Sequence, residues 1–158
     1  MEPLKGDFPE KKFMKILLDT NILVHAYNKS SPNHEQASRI LREAMQGETE
    51  TCLSPQVLYE FFAVVTSPKR VEHPISAKEA ADLCIDLWEC NEIEKLNPSG
   101  IAPIEVFKLT KELKLSRAEI FDCVLAVTAK ENDVEAILTE NVADFKRYKF
   151  VKASNPFA

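Results

Sequence analysis

Acidic side chains stand alone in three apolar stretches of this sequence. Glu60 is the only charged residue within positions 51–68, and Asp122 is the only one within positions 120–129. Asp19 follows directly after a short apolar run. A carboxylate buried among apolar neighbours needs an ion-pair partner or a bound cation. Asp19 also fits a turn or helix cap, and Glu60 also fits a salt bridge to a distant base, so metal binding is one of two interpretations for each.

Two further acids carry stronger structural alternatives. Asp144 comes shortly after a fourth apolar run, where a cap or a turn explains it as well as a ligand role does. Ser116 and Glu119 match the S-x-x-E capping box that opens a helix. Ser116 is therefore expected to cap that helix, which would place Asp122 well inside it. Glu119 is expected to close the box, with a direct role in chemistry as the second alternative.

Carboxylates gathered in one pocket predict a divalent cation. Acids that share a pocket repel one another and take up protons unless a cation lies between them. Mg²⁺ prefers hard oxygen ligands, often one or two carboxylates plus waters and substrate phosphates. Two such ions about 4 Å apart can activate water and stabilise the leaving oxygen of a phosphodiester. The acids thus predict hydrolysis with Mg²⁺ or Mn²⁺, leaving a 5′-phosphate and a 3′-hydroxyl.

The apolar patterns predict short strands that alternate with amphipathic helices. Strands are expected at 15–18, 51–53, 93–96, 136–139 and near 150–151, and helices at 22–27, 37–45, 55–65, 77–88, 104–113 and 120–129. This alternation indicates a parallel sheet with helices on both faces. In such a fold the ligand site lies beyond the carboxyl ends of the strands, where Asp19 and Asp144 are expected. His25 lies four residues after Asn21, which is compatible with facing the site, but it is expected instead to pack or touch solvent.

Length and composition favour one α/β domain. The chain has 158 residues, which suits a single domain. Residues 1–12 are polar, and residues 1–13 are expected to form a poorly ordered lead-in, which leaves residues 14–158 as the folded domain. The four cysteines have no C-x-x-C spacing, which disfavours zinc and fits buried thiols in a reducing cytoplasm. No apolar run is long enough to span a membrane.

The net charge of −5 does not favour tight nucleic-acid binding through basic surfaces. An acidic protein can still cut RNA when its negative charge is focused around bound cations. The basic runs at 108–117 and 146–149 are expected to be solvated surface. Net charge therefore leaves the nuclease interpretation open.

Four segments together resemble the PIN-domain proteins, and more narrowly the VapC-type toxin nucleases. They are LLDTN at 17–21, SPQVLYEF at 54–61, IFDCVLA at 120–126 and LTENVADF at 138–145. Each segment alone is a loose match, but four in order at suitable separations are fairly specific. The resemblance covers roughly residues 15–156, which is almost the whole chain.

The resemblance implies a PIN-like three-layer α/β/α sandwich around a mainly parallel sheet, with RNA as substrate and a divalent-metal site. It carries metal-binding and catalytic roles onto Asp19, Glu60 and Asp122, and supporting roles onto Thr20, Asn21, Thr139, Asn141 and Glu119. Where some members have a fourth acid, this chain has Asn141. Either Asp144 supplies the fourth carboxylate, or Asn141 is a neutral ligand to the metal or its water. The resemblance also implies a homodimer that is silenced by a co-encoded protein antitoxin.

Four other functions are alternatives to this interpretation. A signalling receiver domain needs adjacent acids after the first strand, but Thr20 and Asn21 follow Asp19. A phosphatase of the haloacid dehalogenase type needs a second aspartate at position 21. A PIN-type RNA-processing nuclease without a toxin role stays open, although the zinc ribbon that some of those proteins carry is absent. So does an inactive RNA-binding scaffold, against which the acids argue.

Overall fold

The computed structural model describes residues 13–158. The predicted lead-in of residues 1–13 therefore lies, apart from Phe13, outside the described residues. In chain order the elements are β1 (Ile16–Leu18), α1 (Thr20–Tyr27), α2 (His34–Met45), β2 (Thr51–Leu53), α3 (Pro55–Val65), α4 (Ala77–Glu89), β3 (Glu94–Lys95), α5 (Ala102–Leu113), α6 (Glu119–Glu131), β4 (Ala136–Leu138), α7 (Val142–Phe145) and β5 (Lys152–Ser154).

The strands form one sheet in the order β3-β2-β1-β4-β5. Every neighbouring pair is parallel, and β1 lies at the centre with Ile16 opposite Thr51 on one side and Ala136 on the other. Leu17 and Leu18 are both fully buried. Because successive strand residues point to opposite faces, helices must cover both faces of the sheet. The predicted α/β/α fold class with a parallel sheet is confirmed.

Helix α3 is buried on one side only. Val57, Phe61 and Val65 face the core at helical spacing, and Pro55 occupies the first turn, where its missing N–H costs nothing. Tyr59 lies on the other side and is 74% exposed. The nearly all-apolar sequence of this helix predicts that it is buried, and that prediction holds for one side only, because its apolar residues serve both a core face and a surface face. Glu60 consequently lies half-buried at the boundary between them.

Helix α6 begins differently from its predicted capping box. Its N-cap is Ala118, and no side chain caps the helix. Only one half of the box forms, in which the Glu119 carboxylate accepts the Ser116 backbone N–H at 2.8 Å. The predicted cap at Ser116 is therefore wrong, because the chain turns once more before the helix starts. Asp122 lies in the first turn of α6 rather than deep within it.

The last strand is also displaced from its predicted position. Its pairing with β4 joins Leu138 to Ser154, so β5 begins at Lys152 instead of near position 150. Phe150 packs its ring 5.9 Å from that of Tyr148. A two-residue apolar pattern cannot reveal this register, which depends on contacts with a strand far away in sequence. The short helix α7 was not predicted either.

The cysteines and the helix lengths add two observations. All four cysteines are unpaired, with Cys52 and Cys123 buried. No helix within residues 13–158 is both long and apolar enough to cross a membrane.

Candidate active site

Asp19 is held at the carboxyl end of β1 by three hydrogen bonds. It is the N-cap of α1, and its Oδ1 accepts the Thr20 backbone N–H at 2.8 Å. Its Oδ2 accepts the Thr139 hydroxyl at 2.8 Å and the Asn21 side-chain amide at 3.3 Å. The side chain is only 8% exposed. The capping interpretation is correct, and the same bonds fix the carboxylate at the end of the central strand.

Thr139 and Asn21 join the end of β4 to this carboxylate. The Thr139 hydroxyl, which is fully buried, also accepts the Asn21 side-chain amide at 3.1 Å and the Asn141 backbone N–H at 3.0 Å. The Asn21 side-chain oxygen accepts the Glu140 backbone N–H at 3.0 Å. The predicted supporting residues Asn21, Thr139 and Asn141 therefore form one hydrogen-bonded network around Asp19.

Glu60 reaches the same place from α3. Its Oε2 accepts the Thr20 hydroxyl at 2.8 Å, and its Oε1 accepts the Gln56 side-chain amide at 3.0 Å. Gln56 also donates to the Phe121 carbonyl oxygen at 2.9 Å, which ties α3 to α6. Among the described residues no Lys, Arg or His lies within ion-pair distance of Glu60. Within residues 13–158, the structure therefore offers no support for the salt-bridge alternative for this acid.

Asp122 is the acid of this group whose charge is least offset by hydrogen bonds from the described residues. Its side chain is half-buried and accepts no hydrogen bond from the described part of the chain. Burial raises the pKa of Asp122 from 3.8 to about 6, and the charges of Asp19, Asp144 and Glu60 add to the rise. Arg147 acts in the opposite direction. The pKa of Asp122 thus responds to all three of the other acids proposed from the sequence.

The pKa of Asp19 is raised as well. Burial is the largest cause, and the charges of Glu60 and Asp144 contribute, whereas hydrogen bonds from Thr139 and Thr20 oppose the rise. A cation near these carboxylates would favour their charged forms and reverse both shifts. Positive charge bound in the cleft would therefore stabilise the ionised forms of Asp19 and Asp122.

The acids line one cleft of about 490 Å³. Asp19, Glu60 and Asp122 contribute to its wall, together with Thr20, Asn21, Asn141, Glu140, His25 and Arg70. Asp144 is exposed and outside this lining, although its charge acts on two of the acids. The structure thus brings the three principal residues together. Asn141 lies in the wall and Asp144 lies near it, so both candidates for the fourth position stay open.

The donor set of the cleft suits Mg²⁺ or Mn²⁺, since it consists of carboxylate, amide and hydroxyl oxygens. Within residues 13–158, no three acidic, thiol or imidazole groups lie close enough together to hold one ion by themselves. Mg²⁺ commonly keeps several waters and is held through one or two carboxylates. The residues therefore fit a partly hydrated ion rather than a cage made only of protein ligands.

Glu119 lies outside the lining of the cleft. Its carboxylate accepts the Ser116 backbone N–H, the main cause that holds its pKa below the ordinary value, and the Arg147 guanidinium donates to it at 3.3 Å. These bonds support the structural role expected from the capping box. Glu119 is connected to the site through Arg147, whose charge lowers the pKa of Asp122.

Two residues of the cleft were missed or undervalued in the sequence. His25 packs edge-on against Phe157, with 5.2 Å between ring centroids, and also places Nε2 2.7 Å from the Glu140 carboxylate at the rim. Its spacing from Asn21 was the only sequence signal for this position. Arg70 lies in the loop after α3, where no periodicity indicates which way a side chain points.

Comparisons with known proteins place these observations in context. The model of the PIN domain family matches residues 16–151. The chain is 29% identical over 139 residues to "Ribonuclease VapC24" of Mycobacterium tuberculosis, covering 88% of this chain and 94% of the relative.

Solved structures agree on the fold. The M. tuberculosis toxin VapC20, described as cleaving the sarcin-ricin loop, superposes with a TM-score of 0.64 at 15% identity, covering 87% of this chain and 98% of that one. VapBC2 from Rickettsia felis, solved with a fragment of promoter DNA, gives a TM-score of 0.60 at 21% identity, covering 90% and 98%.

Proposed function

The chain belongs to the PIN domain family, and we propose that it is a divalent-metal-dependent endoribonuclease that hydrolyses RNA phosphodiesters. One observation carries the proposal. Asp19, Glu60 and Asp122 come from three separate elements to one cleft, and no basic side chain of the described chain pairs with any of them. RNA is the proposed substrate because the similar M. tuberculosis protein is a ribonuclease by name and a structural neighbour is described as cleaving an RNA loop. Because the proposed substrate is cellular RNA, we place the enzyme in the cytoplasm.

We propose Mg²⁺ or Mn²⁺ as the cofactor, held by Asp19, Glu60 and Asp122 with Asp144 or Asn141 in the fourth position. When bound, such ions supply an activated water and stabilise the leaving oxygen of the phosphodiester. The protein keeps its ligands in place through their neighbours. Thr139 and the Thr20 backbone fix both oxygens of Asp19, and the Thr20 hydroxyl orients Glu60. Such supporting hydrogen bonds set the orientation and basicity of metal ligands.

The assay is cleavage of an end-labelled structured RNA in Mg²⁺, in Mn²⁺ and in EDTA. Glu60→Gln keeps the shape of the side chain but removes its charge, so we expect the rate to fall at least about 100-fold, since metal-ion stabilisation is worth several kcal/mol. Asp19→Asn and Asp122→Asn should behave alike. Glu112→Gln, a matched change at an exposed position of α5, should cut at the wild-type rate. Cleavage that persists after thorough chelation would refute the metal mechanism.

We further propose that the enzyme is the toxin of a toxin–antitoxin pair. Its structural neighbours include VapBC complexes, and an active ribonuclease needs restraint in its own cell. An apolar groove of about 550 Å³ lies between α3 and α4, lined by Leu58, Tyr59, Ile85 and Trp88 among others. Tyr59 and Ile85 are large, exposed apolar side chains there. We assign this groove to an amphipathic helix of the antitoxin, a common mode of protein recognition.

Expression of the chain alone and then with its genomic neighbour tests the toxin role. Growth arrest by the wild-type chain, rescue by the neighbour and no arrest with Asp19→Asn are expected. A wild-type chain that is harmless at high expression yet cuts RNA in the test tube would instead favour an RNA-processing nuclease. Binding of RNA without any cleavage would favour the inactive scaffold.

We also propose a homodimer. Ile101, Ile104 and Phe107 form an exposed apolar stripe along the start of α5. Contiguous exposed apolar surface of this kind is typical of a protein–protein interface. The stripe is distinct in sequence from the groove assigned to the antitoxin, so the two contacts can be tested by separate substitutions.

A further inference from the structure

The active-site cleft is rich in acidic side chains, which would repel the phosphates of an RNA substrate. Four acids line it, namely Asp19, Glu60, Asp122 and Glu140, and the basic residues in the same lining are His25 and Arg70. His25 is already engaged, because its Nε2 lies 2.7 Å from the Glu140 carboxylate. Within the described residues Arg70 forms no ion pair, although it shares the cleft with those acids. Among residues 13–158, its guanidinium is therefore the cation of the lining that has no ion-pair partner.

The backbone of Arg70 is fixed although its side chain is exposed. The Arg70 backbone N–H donates to the Ser67 carbonyl oxygen at 3.0 Å, and the next N–H, that of Val71, donates to the same oxygen at 3.1 Å. Val71 is buried, and the Ile75 N–H returns to the Val65 carbonyl oxygen at 2.9 Å. The loop is therefore anchored on both sides of Arg70. These bonds hold the Arg70 backbone in one position at the cleft wall.

A guanidinium at this position matches the chemistry of RNA. Phosphate contacts by basic side chains supply much of the affinity for nucleic acids and fix the register of the strand. Arginine binds phosphate through two parallel N–H donors, a geometry that lysine lacks. Arg147 also acts on Asp122, but its guanidinium donates to Glu119. Arg70 is thus the better placed of the two to take a new anionic partner.

We propose that Arg70 binds an uncleaved backbone phosphate of the substrate RNA and so positions the strand in the acidic cleft. This inference rests on the proposed ribonuclease function. The divalent ions would neutralise the acids near the scissile bond, and Arg70 would hold the neighbouring backbone against the cleft wall. Arg70 is a substrate-positioning residue in this account.

The adjacent Lys69 provides a matched control. It is exposed in the same turn and carries the same charge, but it does not line the cleft. Arg70→Ala and Lys69→Ala are compared in the Asp19→Asn background with Mg²⁺, using fluorescence anisotropy of a 5′-fluorescein single-stranded RNA. We expect Arg70→Ala to weaken binding roughly tenfold and to reduce the slope of log affinity against log salt by about 0.7, the value for one phosphate contact to a single strand. Lys69→Ala should change affinity no more than about twofold, because an exposed charge is screened by salt.

Arg70→Lys separates charge from geometry. It should keep most of the salt slope but recover only part of the affinity, because a lysine ammonium is a point charge without the planar fork. A purely structural role for Arg70 would not change the salt slope. Circular dichroism and thermal melts of each variant show whether the fold is kept.

Several results would overturn the assignment of Arg70. They are equal effects of Arg70→Ala and Lys69→Ala, RNA binding unchanged by Arg70→Ala, and no RNA binding by the parent protein. Wild-type cleavage is measured in parallel to separate the two claims. Arg70-dependent binding without cleavage would refute the ribonuclease but keep Arg70 as a contact to the RNA backbone. Cleavage with Arg70-independent binding would do the reverse.

Discussion

Asp122 makes the metal-free protein sensitive to pH. Its pKa rises from 3.8 to about 6 on folding, mainly because of burial. The folded state therefore binds more protons than the unfolded state between these values, so stability falls as pH rises through that window. Below about pH 4 the penalty is absent, and above about pH 6 it is complete. Asp122→Asn should remove it, because asparagine has the same shape without the titration.

The size of the effect follows from the shift. A tenfold change in proton affinity is worth about 1.4 kcal/mol, so the shift from 3.8 to about 6 corresponds to about 3 kcal/mol at most. Asp122 is only half-buried, and solvent screening reduces this to roughly 1–2 kcal/mol. For a chain of this length, that corresponds to a difference in Tm of about 3–6 °C.

The assay is thermal unfolding in EDTA from pH 4 to pH 8. Relative to wild type, Asp122→Asn should gain about 1–2 kcal/mol of stability between pH 4 and pH 8. Asp86→Asn, at an exposed position of α4, is the control and should follow wild type. Mg²⁺ at 100 times its Kd should stabilise wild type at pH 8 by about 2.7 kcal/mol, and the variant by less. Parallel curves for wild type and Asp122→Asn would refute the reasoning.

Three further outcomes are expected. Thr139→Val removes the buried hydroxyl that bonds Asp19, so urea unfolding should show a loss of about 1–3 kcal/mol and cleavage should slow about 10–100-fold; unchanged values would deny Thr139 a supporting role. Asp144→Asn should raise the Mg²⁺ concentration needed for half-maximal cleavage about tenfold or more, because its charge reaches the other acids, whereas an unchanged requirement would exclude Asp144 from the fourth position. Phe107→Glu should convert a dimer to a monomer in sedimentation velocity, and a dimer that survives would place the interface elsewhere.

Asp19 could be predicted from the sequence because the pattern that indicates it, an apolar run ending in one carboxylate, is local. An apolar run that ends in a single carboxylate indicates a strand with Asp19 at its end, and parallel topology then gives the edge at which ligands gather. The hydrogen-bond partners of the Asp19 carboxylate were harder to predict from the sequence. Thr139 bonds Asp19 across 120 positions of sequence, and only the pairing of β1 with β4 brings the two together.

The other features depended on tertiary structure. Apolar composition indicated that α3 would be buried, but Tyr59 shows that its apolar surface is shared between a core face and an outer face. Asp122 was placed too deep in α6 because the backbone at Ala118, not a side chain, begins the helix. Arg70 gave no signal, because loop residues have no periodicity from which to infer direction. Sequence patterns thus predicted the acids and the helices and strands other than α7. The residues that line the cleft could be identified only from the folded structure.

The chemistry of the RNA ends tests the central claim most directly. Wild-type protein is incubated with a defined RNA in Mg²⁺, and the product termini are identified by mass spectrometry. Hydrolysis at a divalent-metal centre built by Asp19, Glu60 and Asp122 predicts a 5′-phosphate and a 3′-hydroxyl, formed only with the metal and lost in Asp19→Asn. A 2′,3′-cyclic phosphate, formed equally well in EDTA and by Asp19→Asn, would contradict the account.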